Sequence, residues 1–244
     1  MRRAGAAGAA TAQGADRMSV LDNPVWSALT TDQAAIAVRR RDAARFPPEA
    51  APFFALRTMS PDALSDMGEI LDGAVEARLF RPAGEPVPTG WTQTFRKPIL
   101  QMVWDRPEPP PATQADAVEL VEADAPAMRA LAASAKPGPF GPATHRLGRF
   151  VGVRKAGALV AMGGVRFRFA GFHELSAIAV ESGHRRRGLA RAVTARLVAH
   201  ALDAGSVPLL HVFPDNAAAA GLYMAMGFRL RATLEIVWLK RSEA

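Results

Sequence analysis

The stretch ELSAIAVESGHRRRGLARAV, Glu174 to Val193, decides how the chain is read. Glu174 to Val180 is apolar and reads as a strand. A turn follows that carries Arg185, Arg186 and Arg187. After Gly188, Leu189, Val193, Leu197 and Ala201 fall on one stripe of a helix running to Leu202. The first amides of a helix have no partner within it and stand at the positive end of its dipole. A glycine at that point removes the side chain that would hold a phosphate away, so the turn is an anion site of a size to take a pyrophosphate. A strand–Gly–helix turn is common by itself, and a run of arginines also describes a solvated face.

Working outward, Phe150–Arg154 and Ala158–Phe169 read as the two strands of a hairpin turning near Ala156-Gly157. Val118–Glu122 reads as a short strand, and Pro126–Ser134 as a helix with Asp124 as its cap. Lys136–Gly148, rich in Gly and Pro, reads as a loop. Downstream, Val207–Phe213 is an apolar strand, Asn216–Met226 a short helix stopped by Gly227, and Phe228–Leu239 a final strand. The order of elements from 118 onward is that of a mixed α/β domain.

The first half reads differently. Phe53–Met59 suggests a strand, and Ala63–Leu71 a helix behind Ser60 and Pro61. Trp91–Trp104 suggests a strand interrupted at Pro98. The proline cluster Asp105–Asp116 marks a linker. The expected organisation is a tail over 1–17, a smaller α/β module over 18–106, a linker over 107–116 and the main domain over 117–244. Residues 1–17 lack a long apolar core, so they read as a disordered tail and not a signal, with Met18 a candidate start.

Composition narrows the chemistry. There is no cysteine, which excludes disulfides, thiolate metal sites and a thiol nucleophile. The histidines show no metal spacing, so no metal is expected. No apolar run reaches the roughly 18 to 20 residues of a membrane helix, so no membrane partner is expected, and the reading is a cytoplasmic protein. Residues 1–115 hold 13 Lys+Arg and 13 Asp+Glu, and residues 116–244 hold 17 and 10, so the whole net charge of +7 lies in the second half. Aromatic residues do not interleave with the arginines, which argues against nucleic acid and for a phosphorylated ligand.

Two motifs together go further. Arg185-Arg186-Arg187-Gly188-Leu189-Ala190 resembles the (Arg/Gln)-x-x-Gly-x-(Gly/Ala) signature of the GNAT acetyltransferase superfamily, placed after a strand. Asn216, Ala219, Tyr223 and Gly227-Phe228 resemble that superfamily's N-x-x-A-x-x-x-Y-x-x-x-G-F helix without a gap, and Tyr223 is the one tyrosine of the chain. The likeness covers roughly 117–241 and looks closest to bacterial acetyltransferases related to glycine N-acyltransferases. It implies the GNAT fold, a mixed and mostly antiparallel sheet flanked by helices, with the first half a degenerate companion.

The resemblance also implies roles. Acetyl-CoA is the expected co-substrate and a small-molecule or peptide amine the acceptor. Backbone groups of Ile178, Ala179 and Val180 would pair with the pantetheine arm, and one amide would stabilise the oxyanion. Amides of Arg186, Arg187, Gly188, Leu189, Ala190 and Arg191 would hold the pyrophosphate, with Arg185 adding charge. Asn216 and Ala219 fall in the CoA-contacting helix, and Tyr223 would protonate the leaving thiolate. Two residues compete as general base, His211 on the strand before that helix and Glu174 at the start of the earlier strand. The acceptor pocket is expected from Lys136–Gly148 and from the first half. Acetyl transfer to a primary amine leads; amino-acid or longer-chain acylation and acyl-CoA binding without catalysis are the alternatives.

Overall fold

The computed structural model describes residues 18–71, 73, 76–111, 113 and 115–242; the expected tail at 1–17 lies outside them. In chain order the helices and strands are α1 (Pro24–Thr30), β1 (Val38–Arg40), β2 (Ala43–Arg45), β3 (Phe54–Leu56), α2 (Pro61–Glu69), β4 (Ala77–Pro82), β5 (Trp91–Trp104), β6 (Val118–Leu120), α3 (Ala125–Ala135), β7 (Phe150–Lys155), β8 (Ala158–Phe169), β9 (Phe172–Val180), α4 (Leu189–Asp203), β10 (Val207–Val212), α5 (Ala217–Met226) and β11 (Phe228–Arg241).

Eight strands form one sheet in the order β4-β11-β5-β10-β9-β8-β7-β6, and β1-β2-β3 form a small second sheet. Every pairing in the large sheet is antiparallel except β9 with β10. β5, from the first half, lies between β10 and β11, pairing Gln101 with His211 on one side and Phe228 with Trp104 on the other. The proline cluster therefore separates two stretches of sequence but not two sheets.

β5 runs unbroken through Pro98, where an interruption was expected. Its pairing with β10 starts only at Leu100, so at Pro98 the strand has one neighbour, β11. A proline is tolerated where one side of a strand has no ladder to donate to.

Helices cover both faces. On one, α4 packs Val193, Leu197 and Val198 against the sheet, and Gly163 of β8 keeps the approach open, since a Cβ there would lie 2.7 Å from Val193 Cγ1. On the other, α3 packs Met128 and Leu131 over Phe150 and Met162. Asp124, expected to cap α3, makes no cap bond; its carboxylate accepts from the Val121 amide at 2.8 Å and pairs with Arg154. Ser60 does cap α2, its Oγ accepting from the Ala63 amide at 3.2 Å.

A third core joins the two halves. Phe167 of β8, fully buried, is ringed by Phe46, Phe53 and Phe80 at centroid distances of 5.5, 5.7 and 5.8 Å. Each such ring contributes roughly 1.5–3 kcal/mol by leaving water, so the first half is held to the sheet by its apolar surface.

Candidate active site

Two local features open a cleft at the centre of the sheet. The parallel ladder of β9 and β10 ends at the pair Leu175–Leu210, and the strands diverge beyond it. On the other side of β9 the register with β8 slips: Ser176 pairs with Gly164 and Ala179 with Met162, so Ala177 and Ile178 face the single Gly163. This is a β-bulge, and Ala177 takes the left-handed region with φ of 53°. A bulge leaves the extra residue out of the ladder, here beside the gap between β9 and β10.

The cleft is a cavity of about 440 Å³. Ser176, Ala177 and Ile178 form one wall and Val212, Phe213 and Asn216 the other, with Ala219 and Tyr223 of α5 beside them. Tyr223 is 7% exposed, and burial pushes its phenol up to about 12. The group is therefore a protonated donor at neutral pH. Asn216 caps α5, its Oδ1 accepting from the Ala219 amide at 3.3 Å, and Gly227 ends the helix with φ of 124°.

Ala179 and Val180 finish β9 next to the basic turn. Ala179 is buried towards α3, whereas Ile178 reaches the cavity. Arg185, Arg186, Arg187 and Gly188 are exposed, Leu189 is buried, and Ala190 and Arg191 are half-buried. Gly188 stands at the cap of α4 with φ of 74°, and Arg186 is also left-handed at 59°. The first bond of α4 runs from the Ala192 amide to the Gly188 carbonyl, so the amides of Leu189, Ala190 and Arg191 precede the helix's own bonding. Among the described residues none of Arg185, Arg186, Arg187 and Arg191 has a carboxylate partner. The turn lies beyond the Ile178 end of the cleft and is not part of the cavity wall.

Glu174 and His211 meet. His211 Nδ1 is 2.7 Å from Glu174 Oε1, and Arg166 grips both oxygens of the same carboxylate at 2.6 and 2.8 Å. Burial alone pushes the Glu174 carboxyl up, but the Arg166 guanidinium and the His211 hydrogen bond outweigh it and hold the group below its ordinary value. Gln101 fixes the imidazole. Its Oε1 accepts from Arg231 and its amide nitrogen donates to the Leu21 carbonyl, so it is also a nitrogen that faces His211 Nε2, at 3.1 Å. Nε2 must then accept, and the proton is on Nδ1, directed at Glu174. The Glu174 side chain is 0% exposed and that of His211 1%, so His211 meets the cavity through its backbone.

The far side of the cavity comes from the first half and from β11. Phe53, Phe80, Phe95, Ile99 and Trp238 line it, with Arg78 and Arg166, and Lys136–Pro139 close the rim. The rim loop is tied to the first half, where the Ala143 amide donates to the Glu49 carbonyl at 2.8 Å and Thr144 Oγ1 to the Ala50 carbonyl at 2.6 Å. Sequence reading missed this aromatic wall. Phe80, Phe95, Ile99 and Trp238 come from β4, β5 and β11 and meet through the sheet register, and Phe53 joins them from just ahead of β3.

The described residues contain no helix long and apolar enough to cross a membrane and no cluster of potential metal ligands. The sequence model of the Acetyltransferase (GNAT) family matches residues 113–228. A crystal structure from Novosphingobium aromaticivorans DSM 12444, assigned to the GNAT acetyltransferases, is 34% identical, with a TM-score of 0.82 over 91% of this chain and 99% of its own. A GCN5-related N-acetyltransferase from Kribbella flavida shares the fold at 19% identity, with a TM-score of 0.58 over 85% and 90% of the two chains. So does a GNAT-family acetyltransferase from Colwellia psychrerythraea, at 15% identity and a TM-score of 0.51 over 96% and 97%. A search of curated proteins gives no match.

Proposed function

The chain belongs to the GNAT acetyltransferase family, and from that premise we propose that it moves the acetyl group of acetyl-CoA to a primary amine by direct attack in a ternary complex. The coarser activity, acyl transfer from acyl-CoA to an amine, is that of the family. The finer reading rests on one observation: β9 and β10 part beyond Leu175–Leu210, and the opening carries a bulge on one side and a protonated phenol on the other.

In this reading the open edge of β9 pairs with the pantetheine arm, and the amides ahead of α4 hold the pyrophosphate. A backbone amide freed at Ala177–Ile178 donates to the thioester oxygen as the amine nitrogen bonds to the carbonyl carbon and charge collects on that oxygen. When the carbon–sulfur bond breaks, Tyr223 gives its proton to the departing sulfur, and the second proton shed by the acylated nitrogen restores the phenol by way of solvent. CoA leaves as the thiol, and the amide is the second product.

The amine must also lose a proton, because a free alkylamine with a pKa of about 10.4 is mostly charged near neutrality. Both Glu174 oxygens and both His211 nitrogens already have partners. We therefore assign the Glu174–His211 pair a positioning role at the point where the strands diverge, and pass the amine proton to solvent at the cavity mouth. The reading is tested by titrating acetyl-CoA into the protein by calorimetry, then following thiol release with a panel of amines. Absence of any heat with acetyl-CoA would overturn it.

A further inference from the structure

The acceptor side of the cavity has an uneven charge. Four cations lie on or beside its wall, of which Lys136 is exposed on the rim loop. Arg166 is neutralised by Glu174, and Lys97, over the Phe213 ring, by Asp215 at 2.6 Å. Arg78 differs. It is half-buried on β4, and its Cζ stands 4.0 Å from the centre of the Trp238 ring. Trp238 pairs with Arg78 on one side and Phe95 on the other, so the three side chains form one row across β4, β11 and β5. Among the described residues Arg78 has no carboxylate partner. Its neighbour Glu76 instead accepts from Thr94 Oγ1 at 2.5 Å. No Asp or Glu belongs to the cavity wall.

A guanidinium seated over an indole ring still has N–H groups to offer a planar, two-oxygen partner. The rest of that side is Phe53, Phe80, Phe95, Ile99 and Ile236, which reward an apolar group of similar size. A second cation would meet Arg78 with nothing to offset it, which disfavours polyamines.

We infer that the acceptor is an apolar α-amino acid, its carboxylate on Arg78, its side chain against the aromatic wall and its amine towards the cleft between β9 and β10. This rests on the acyltransferase reading above and names its substrate class. The same carboxylate chemistry could instead come from a dicarboxylic acyl group on CoA. The acceptor is favoured because Arg78 belongs to the wall built with Trp238 and Phe95 and not to the Ser176–Ile178 wall assigned to the thioester.

The test uses the full chain in two stages. Acetyl-CoA is titrated first, to establish cofactor binding independently of the acceptor. The CoA-saturated protein is then titrated with L-phenylalanine, L-phenylalaninamide and phenethylamine, and kcat/KM is measured for each with acetyl-CoA. Phenylalanine should bind, and exceed phenethylamine by about tenfold to a hundredfold, the usual range for one charge-assisted contact. The amide should follow phenethylamine. Arg78→Gln should erase the preference and Arg78→Lys keep part of it, with melting curves confirming that both fold.

Cofactor binding with no preference for the carboxylate in the wild type overturns this inference and leaves the acyltransferase reading standing. That comparison needs no variant. A preference that survives in Arg78→Gln also overturns it. So does a selectivity for succinyl-CoA over acetyl-CoA that Arg78→Gln removes, because it would place the carboxylate on the acyl group.

Discussion

His211 Nδ1 lies 2.7 Å from Glu174 Oε1, joining the penultimate paired residue of β9 to the first residue of β10 beyond the ladder. The two side chains are 37 residues apart in sequence, and each looked like a base when read alone. Together with Arg166 they form a closed, charge-balanced cluster at the place where the strands part.

Breaking this cluster should cost stability in a pH-dependent way. The Glu174 carboxyl is held below its ordinary 4.5 in the folded protein. Its contribution is therefore present above pH 4.5 and lost as pH falls through the lowered folded value. Glu174→Gln leaves Arg166 buried without a counter-charge and should cost about 3–5 kcal/mol at neutral pH. The gap from wild type, read from denaturant midpoints, should narrow below pH 4.5; a gap independent of pH would contradict the ion-pair account.

Tyr223→Phe should bind acetyl-CoA as the wild type does, yet lower kcat by about 10²- to 10⁴-fold with any working amine. With its phenol pushed up to about 12, Tyr223 stays protonated across the accessible range. The wild-type kcat profile should therefore lack an alkaline decline from this group well below that value. The same shift stabilises the fold fully below the ordinary phenol value of 10.0 and is lost as pH rises towards 12. Unchanged turnover in the phenylalanine variant would remove Tyr223 from the chemistry.

Gly188 takes φ of 74°, a conformation that costs a β-branched residue about 1–2 kcal/mol or more. Gly188→Val should destabilise the start of α4 and reorient the amides ahead of it. The expected result is at least about tenfold weaker binding of acetyl-CoA with little change in the fold, because one such reoriented contact to an anion is of that size. Calorimetry on the variant decides; wild-type affinity would mean the turn does not seat the phosphates.

At Ala177 the opposite substitution should help. An alanine at φ of 53° is strained, and glycine relieves more than it loses to its own entropy. Ala177→Gly should gain about 0.5–1 kcal/mol by that difference and raise Tm by roughly 1–4 °C for a chain of this size. Ala177→Val should lower Tm and activity together. A drop in Tm for the glycine variant would argue against a strained bulge.

The parts of the site that were legible in the sequence are local. Gly188 and the strand before it, and Asn216 through Gly227, carry their meaning in neighbouring residues, so they could be placed on elements without knowing the fold. Strand β4 went unread because six residues, ARLFRP, give too short a pattern. The aromatic wall was invisible because nothing in Phe80, Phe95 or Trp238 announces that their strands are adjacent. Pro98 misled for the same reason: it breaks a strand with two neighbours, and only the pairing shows that β5 has one there.

The place of β5 between β10 and β11 bears on how the chain is made. When residues 91–104 leave the ribosome, both partners are still to be synthesised, the nearer of them, β10, beginning at Val207. At about 5–20 residues per second that is a wait on the order of 5–20 s with a long strand, largely apolar from Ile99 to Trp104, unpaired. The nascent chain is thus exposed to aggregation before its sheet can close, and a fragment starting after the proline cluster would lack the strand that joins β10 to β11.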